Sequence, residues 1–104
     1  MRIDINGNEV FYGTGSGTPS DAANTLIFVH GAGFDHTIWV MPARYFARHG
    51  WRVVALDLPG HGRSQGQALT SIAQMADWLA QVIDAVSPNQ QASVVGHSTV
   101  SYTH

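Results

Sequence analysis

Thr25-Leu26-Ile27-Phe28-Val29-His30-Gly31-Ala32-Gly33 is the stretch that decides the fold. The run from Thr25 to Val29 is continuously apolar and does not alternate, so a strand made from it must be covered on both faces, as in a parallel sheet flanked by helices. The glycines after His30 open a loop at its carboxyl end. The same arrangement recurs twice downstream. Trp51 to Leu56 reads as a second buried strand, followed by Asp57-Leu58-Pro59-Gly60-His61-Gly62-Arg63-Ser64. Ala92 to Gly96 reads as the last strand, followed by His97-Ser98-Thr99-Val100.

Helical signals lie between these strands. From about Pro42 to His49, a proline suits the first helical turn and Gly50 is placed to stop the helix. The clearer helix starts at Ser71, which with Gln74 forms a capping box. Its apolar positions Ile72, Met75, Ala76, Leu79, Val82, Ile83 and Val86 recur at helical spacing, and Ser87-Pro88 ends it. Upstream, Arg2 to Ile5 and Glu9 to Tyr12 alternate polar and apolar residues around Asn6-Gly7-Asn8, which predicts a β-hairpin. Residues 13 to 24 read as a Gly-rich surface loop. Strand, helix, strand, helix, strand with short links predicts right-handed βαβ units: an α/β fold, mostly parallel, with an N-terminal antiparallel hairpin.

Bulk properties exclude several functions. A chain of 104 residues is at most one domain with a modest core. With 44% apolar and 12% charged residues it is globular in composition, and its apolar runs are too short for a membrane span. A net charge of −2, with no lysine, offers no basic patch for nucleic acid. There is no cysteine, hence no disulfide framework and no thiolate metal site. The N-terminus lacks the apolar stretch of a secretory signal, so a cytoplasmic location is the default expectation.

In parallel α/β sheets, reactive groups gather in the loops at the carboxyl ends of the strands. Here a His-Gly loop at His30, the Asp57 to Ser64 loop and a Gly96-His97-Ser98 turn occur in the order and spacing of the α/β-hydrolase superfamily. The chain resembles that superfamily over residues 1 to 98, most closely its bacterial esterase, lactonase and carbon–carbon-bond hydrolase branch.

The resemblance implies that Ser98 is a nucleophile, held above the sheet by a tight strand-to-helix turn, and that the reaction is acyl transfer through a covalent intermediate. It implies oxyanion donors in the backbone N–H of Thr99 and of Ala32 or Gly33, with Ala32 favoured because the donor follows the His-Gly pair. A small ester, lactone or related carbonyl compound is the expected substrate, with no cofactor and no metal. The family's strand order, 1-2-4-3-5, would leave Ala92 to Gly96 as an open edge where Val94 and Val95 invite self-association.

Other residues carry blander expectations. His30, His61 and His97 are expected to pack loops, and His97 cannot serve as base for its neighbour Ser98, because adjacent side chains on an extended chain point apart. Asp57, Arg63 and Ser64 are expected to pin their own loop. Phe34 and Trp39 are either pocket or core. No role is assigned to His36 or His104.

The sequence departs from the family at Val100, where a glycine normally relieves the strained turn. The triad acid and histidine follow the serine in this family and would lie beyond residue 104. Residues 1 to 104 are therefore expected to be the N-terminal part of a single domain, cut by a frameshift, a premature stop or gene fragmentation. On that expectation the chain is inactive by itself, and a non-catalytic binding half-domain is the alternative.

Overall fold

In the computed structural model the described residues are 1–16, 24–31, 33–87 and 92–96. The predicted end of the second helix at Pro88 falls outside them. The elements are strands β1 (Arg2–Ile5), β2 (Asn8–Gly13), β3 (Thr25–Val29), β4 (Arg52–Leu56) and β5 (Ala92–Gly96), and helices α1 (Val40–Arg48) and α2 (Ile72–Val86). A 3-10 turn, His36–Trp39, leads into α1. The strands form one mixed sheet in the order β1-β2-β4-β3-β5. Only β2 runs against the others, pairing antiparallel with β1 and β4, whereas β3 pairs parallel with β4 and β5.

The hairpin closes as its sequence predicts. Asn6 and Gly7 have φ of 54° and 84°, the pair of left-handed residues that a two-residue turn needs to match strand twist. Ile5 then faces Asn8, and Ile3 faces Val10.

The continuous apolar runs are explained by a helix on each face of the sheet. Ile27, Val29, Val54 and Leu56 pack with Trp78, Val82 and Val86 of α2 and with Val10 of the hairpin. Their alternates Leu26, Phe28, Val53 and Ala55 pack with Ala43, Trp39 and Phe46 on the α1 side. Trp39 is partly buried and packs against this core, its ring 4.9 Å from that of Phe28.

Both helices differ from expectation in their details. The first begins earlier than Pro42, because Asp35 caps the preceding 3-10 turn by accepting from the Thr37 N–H. It ends at a Schellman motif: Trp51 N–H donates to the Phe46 carbonyl, Gly50 N–H to that of Ala47, and the rings of Phe46 and Trp51 meet edge to face. In α2, Ser71 accepts from the Gln74 N–H, but the Gln74 side chain reaches Thr70, one residue short of the cap, so only half of the predicted box forms. The buried stripe also includes Trp78, 6% exposed, while Ile72 at the helix start is 37% exposed.

Candidate active site at the carboxyl edge of the sheet

Val29, the last residue of β3, pairs with Leu56 at the end of β4 and with Gly96 at the end of β5. The loops that follow β3 and β4 therefore leave the sheet at one level, the level at which β5 ends. Ser98, Thr99 and Ala32 lie outside the described residues, as do His97, Val100 and His104. The first two loops are otherwise described, and their geometry is set by three side chains.

His30 is fully buried. Its Nε2 accepts from the Leu58 N–H at 2.9 Å, so the proton sits on Nδ1, which donates to the Gly31 carbonyl at 2.7 Å. Burial pushes this imidazole below the ordinary histidine range, and the Gly31 carbonyl acts against that push. His61 uses the same tautomer. Its Nδ1 donates to the Pro59 carbonyl at 3.0 Å, and its Nε2 accepts from the Gly33 N–H at 3.2 Å. The two rings lie 5.1 Å apart. With both nitrogens engaged, neither histidine offers a lone pair to a substrate hydroxyl, in keeping with a loop-packing role. The Gly33 N–H, the alternative to Ala32 in the sequence expectation, thus faces His61 and is already used.

Asp57 does more than pin its own loop. Its side chain is fully buried, and its Oδ2 accepts from the Arg63 N–H at 2.9 Å. Its Oδ1 accepts from the His36 backbone N–H at 2.7 Å and from His36 Nδ1 at 2.9 Å. A buried carboxylate without such donors would be prohibitively costly. Gly62 passes so close that a Cβ there would collide with the Asp57 carboxylate, so the glycine is required by the approach. Ser64 Oγ donates to the Asp57 carbonyl and accepts from the Phe11 N–H, which ties this loop to β2 as well as to itself.

His36, to which the sequence reading assigned no role, thus becomes part of the loop framework. The available signal was local: Asp35 followed by Thr37 marks a cap and fixes where His36 points. Asp35 Oδ1 accepts from the Thr37 N–H at 2.9 Å and from its hydroxyl at 2.5 Å, and these bonds hold its carboxyl below the usual carboxylate range. Because His36 Nδ1 donates to Asp57, its remaining lone pair is on Nε2. The ring helps line a cavity of about 300 Å³ between β2 and α1, together with Phe11, Gly13, Val40, Ala43 and Arg44. Phe34, by contrast, is 47% exposed and is not core.

Asp35, His36 and Asp57 bring candidate ligand atoms within 4.8 Å of one another. Both Asp57 oxygens already accept hydrogen bonds, and His36 Nδ1 must keep its proton to donate to Asp57. The trio is a hydrogen-bonded framework and a poor cation site.

The sequence pattern that defines the Alpha/beta hydrolase family matches residues 26–99. The dihydrolipoyllysine-residue acetyltransferase component of the acetoin cleaving system of Cupriavidus necator is 41% identical over 96 residues, covering 91% of this chain and 24% of that protein. The (E)-2-((N-methylformamido)methylene)succinate hydrolase of Acinetobacter baylyi is 30% identical over 100 residues, covering 94% and 35% respectively. The chain thus spans roughly a quarter to a third of the length of these curated relatives. Among solved structures, a thioesterase domain from the curacin biosynthetic pathway superposes with a TM-score of 0.78 at 30% identity, over 94% of this chain and 34% of that one. An epoxide hydrolase from Vigna radiata superposes with a TM-score of 0.79 at 20% identity, over 98% and 32%, a likeness of fold alone. No helix among the described residues is long and apolar enough to cross a membrane. The pattern match runs from Leu26 in β3 to Thr99, and the sheet order agrees with it: the chain belongs to the alpha/beta hydrolase family.

Proposed function

We propose that residues 1–104 are the N-terminal part of a serine hydrolase domain in which Ser98 attacks a small ester, lactone or related carbonyl substrate to form an acyl-enzyme. The observation that carries this reading is the shared register of Val29, Leu56 and Gly96, which ends the strands that precede His30, Asp57 and the Ser98 motif at one level of the sheet. Nucleophile, oxyanion donors and substrate need to converge within hydrogen-bond reach, and parallel strands ending together supply that convergence.

Ser98 acts as nucleophile, and the N–H groups of Ala32 and Thr99 receive the developing oxyanion. The use of the Gly33 N–H by His61 supports Ala32 over Gly33. None of the loop histidines takes the proton from Ser98: His30 and His61 have both ring nitrogens engaged, and His97 is its chain neighbour. The acid and base of the triad are expected from sequence that follows Ser98 in longer relatives. Neither a metal nor an organic cofactor is needed for this chemistry.

The test is a chimera. By itself, the 104-residue chain is expected to give no serine-dependent turnover of an activated ester, and Val100→Gly restores none. Residues 1 to 100 joined to the matching remainder of the Acinetobacter relative should give turnover that disappears in Ser98→Ala. Val100→Gly in the chimera should raise it about 10²-fold, the worth of one oxyanion donor. Chimera turnover indifferent to Ser98→Ala defeats the reading.

A second reading rests on a different observation. Val94 and Val95 are 46% and 39% exposed on β5, at the edge of the described sheet. An edge strand with exposed valines is a template for another copy, and we propose self-association there in the chain as it stands.

A further inference from the structure

We infer that His61 is a positioning residue: its neutral ring clasps the loop after β3 to the loop after β4 through the Gly33 amide, and protonation of that ring opens the clasp. This rests on the reading above, in which the β3 loop supplies an oxyanion donor.

The argument begins with the two ring nitrogens. Nδ1 donates to the Pro59 carbonyl, a contact within the ring's own loop two residues away, so it fixes the plane of the ring. Nε2 is left with its lone pair outward, and the Gly33 N–H, 28 residues away in sequence, donates into it. An imidazolium has no lone pair and carries N–H groups at both positions, so adding a proton replaces an attraction with two opposed donors. The neighbouring bond cannot compensate. His30 also bridges the two loops, but through the Leu58 N–H and the Gly31 carbonyl, leaving the Gly33 peptide held by His61. The turn bond from the Phe34 N–H to the Gly31 carbonyl closes around this peptide within the β3 loop but does not tie it to the β4 loop.

The titratable ring packed against the clasp is that of His30, 5.1 Å away and itself held neutral by burial; Asp35 follows in the β3 loop and Asp57 ends β4. An oxyanion hole works because its donors are oriented before the charge develops. Loosening Gly33 frees the peptide next to Ala32, so the state of His61 sets how well that donor is prepared.

The experiment follows the Gly33 amide by NMR in the 104-residue chain. On acidification the Gly33 N–H resonance should move in step with the His61 ring-carbon resonances, and its hydrogen exchange should quicken by about three- to tenfold beyond the intrinsic pH effect, the range expected for one net hydrogen bond. His61→Gln keeps an acceptor and cannot take the proton, so protection should persist with no pH step. His61→Ala should lose protection at every pH. A merely structural role for the ring would move all loop amides together, Leu58 included. Unchanged Gly33 protection in His61→Ala, or a pH step that survives in His61→Gln, overturns the inference. Serine-dependent turnover by the chimera is read separately, so its failure would remove the catalytic meaning and leave the clasp standing.

Discussion

β4 and β5 flank the same strand in parallel register, and both are rich in valine. Yet Val53, Val54, Ala55 and Leu56 are at most 3% exposed, whereas Val94 and Val95 are 46% and 39% exposed. The difference lies in what surrounds them. β4 has β2 and β3 on its two sides, α1 on one face and α2 on the other, while β5 among the described residues pairs only with β3. Side chains of the same kind are therefore core in one strand and edge in the next. β-Propensity reports suitability for a half-buried pleated surface and does not choose the neighbours.

The comparison breaks first on core truncation. Ile27→Ala, at the centre of β3 and wholly buried, should lower stability to urea by about 4 kcal/mol, because it removes buried methyls and leaves a cavity between sheet and α2. Val94→Ala, one strand away and paired with Ile27, should cost less than about 1 kcal/mol. Equal shifts of the two midpoints would show that β5 is covered in solution.

A second contrast lies within the loops. Asp57→Ala should cost about 3 kcal/mol, since it leaves the His36 and Arg63 N–H groups without their buried acceptor. Asp35→Ala removes only an exposed cap and should cost about 1 kcal/mol. Thermal melts of the two variants test the ranking, and a smaller loss at Asp57 would contradict the framework drawn from its contacts.

The next effect is one of pH. Burial holds folded His30 below the ordinary histidine range, so the unfolded chain takes this proton first as pH falls. The unfolded state then binds more protons, and stability declines with acidification. The contribution is complete above about pH 6.5 and is lost progressively below it, until the folded ring also titrates. Urea midpoints from pH 8 to pH 5 should fall, and the slope should be reduced in His30→Asn. A stability that rises towards acid would reverse the sign argued here.

The smallest stability change is expected at the edge. Val94→Lys should alter stability to urea by less than about 0.5 kcal/mol, while a charge on the edge strand discourages pairing with another copy. Sedimentation velocity should show a shift towards monomer. Unaltered association would place the contact elsewhere.

Much of this fold was legible because its signals are local. Asn6-Gly7 supplies two left-handed residues where a hairpin needs them, Gly50 follows the last turn of α1, and Ser71 caps α2. What escaped the reading was longer in range. Gln74 fits the pattern of a capping box, but Thr70 competes for its side chain with hydroxyl and N–H together. Trp78 was left out of the predicted stripe, although its ring joins Ile5 and Val10 of the hairpin in one buried cluster.

The amino-acid sequence alone determined the order of strands and helices, the three loops that bear the family's motifs and the identity of Ser98 as the candidate nucleophile. Periodicity, turn residues and motif spacing are properties of neighbours along the chain, so no partner has to be known. Only the tertiary structure decided that His36 donates to Asp57 across 21 positions, that His61 takes the Gly33 amide and that the valines of β5 face outward. Those outcomes depend on which strands lie side by side and end together, and a hydrogen bond between distant loops forms only once the sheet has brought donor and acceptor within about 3 Å.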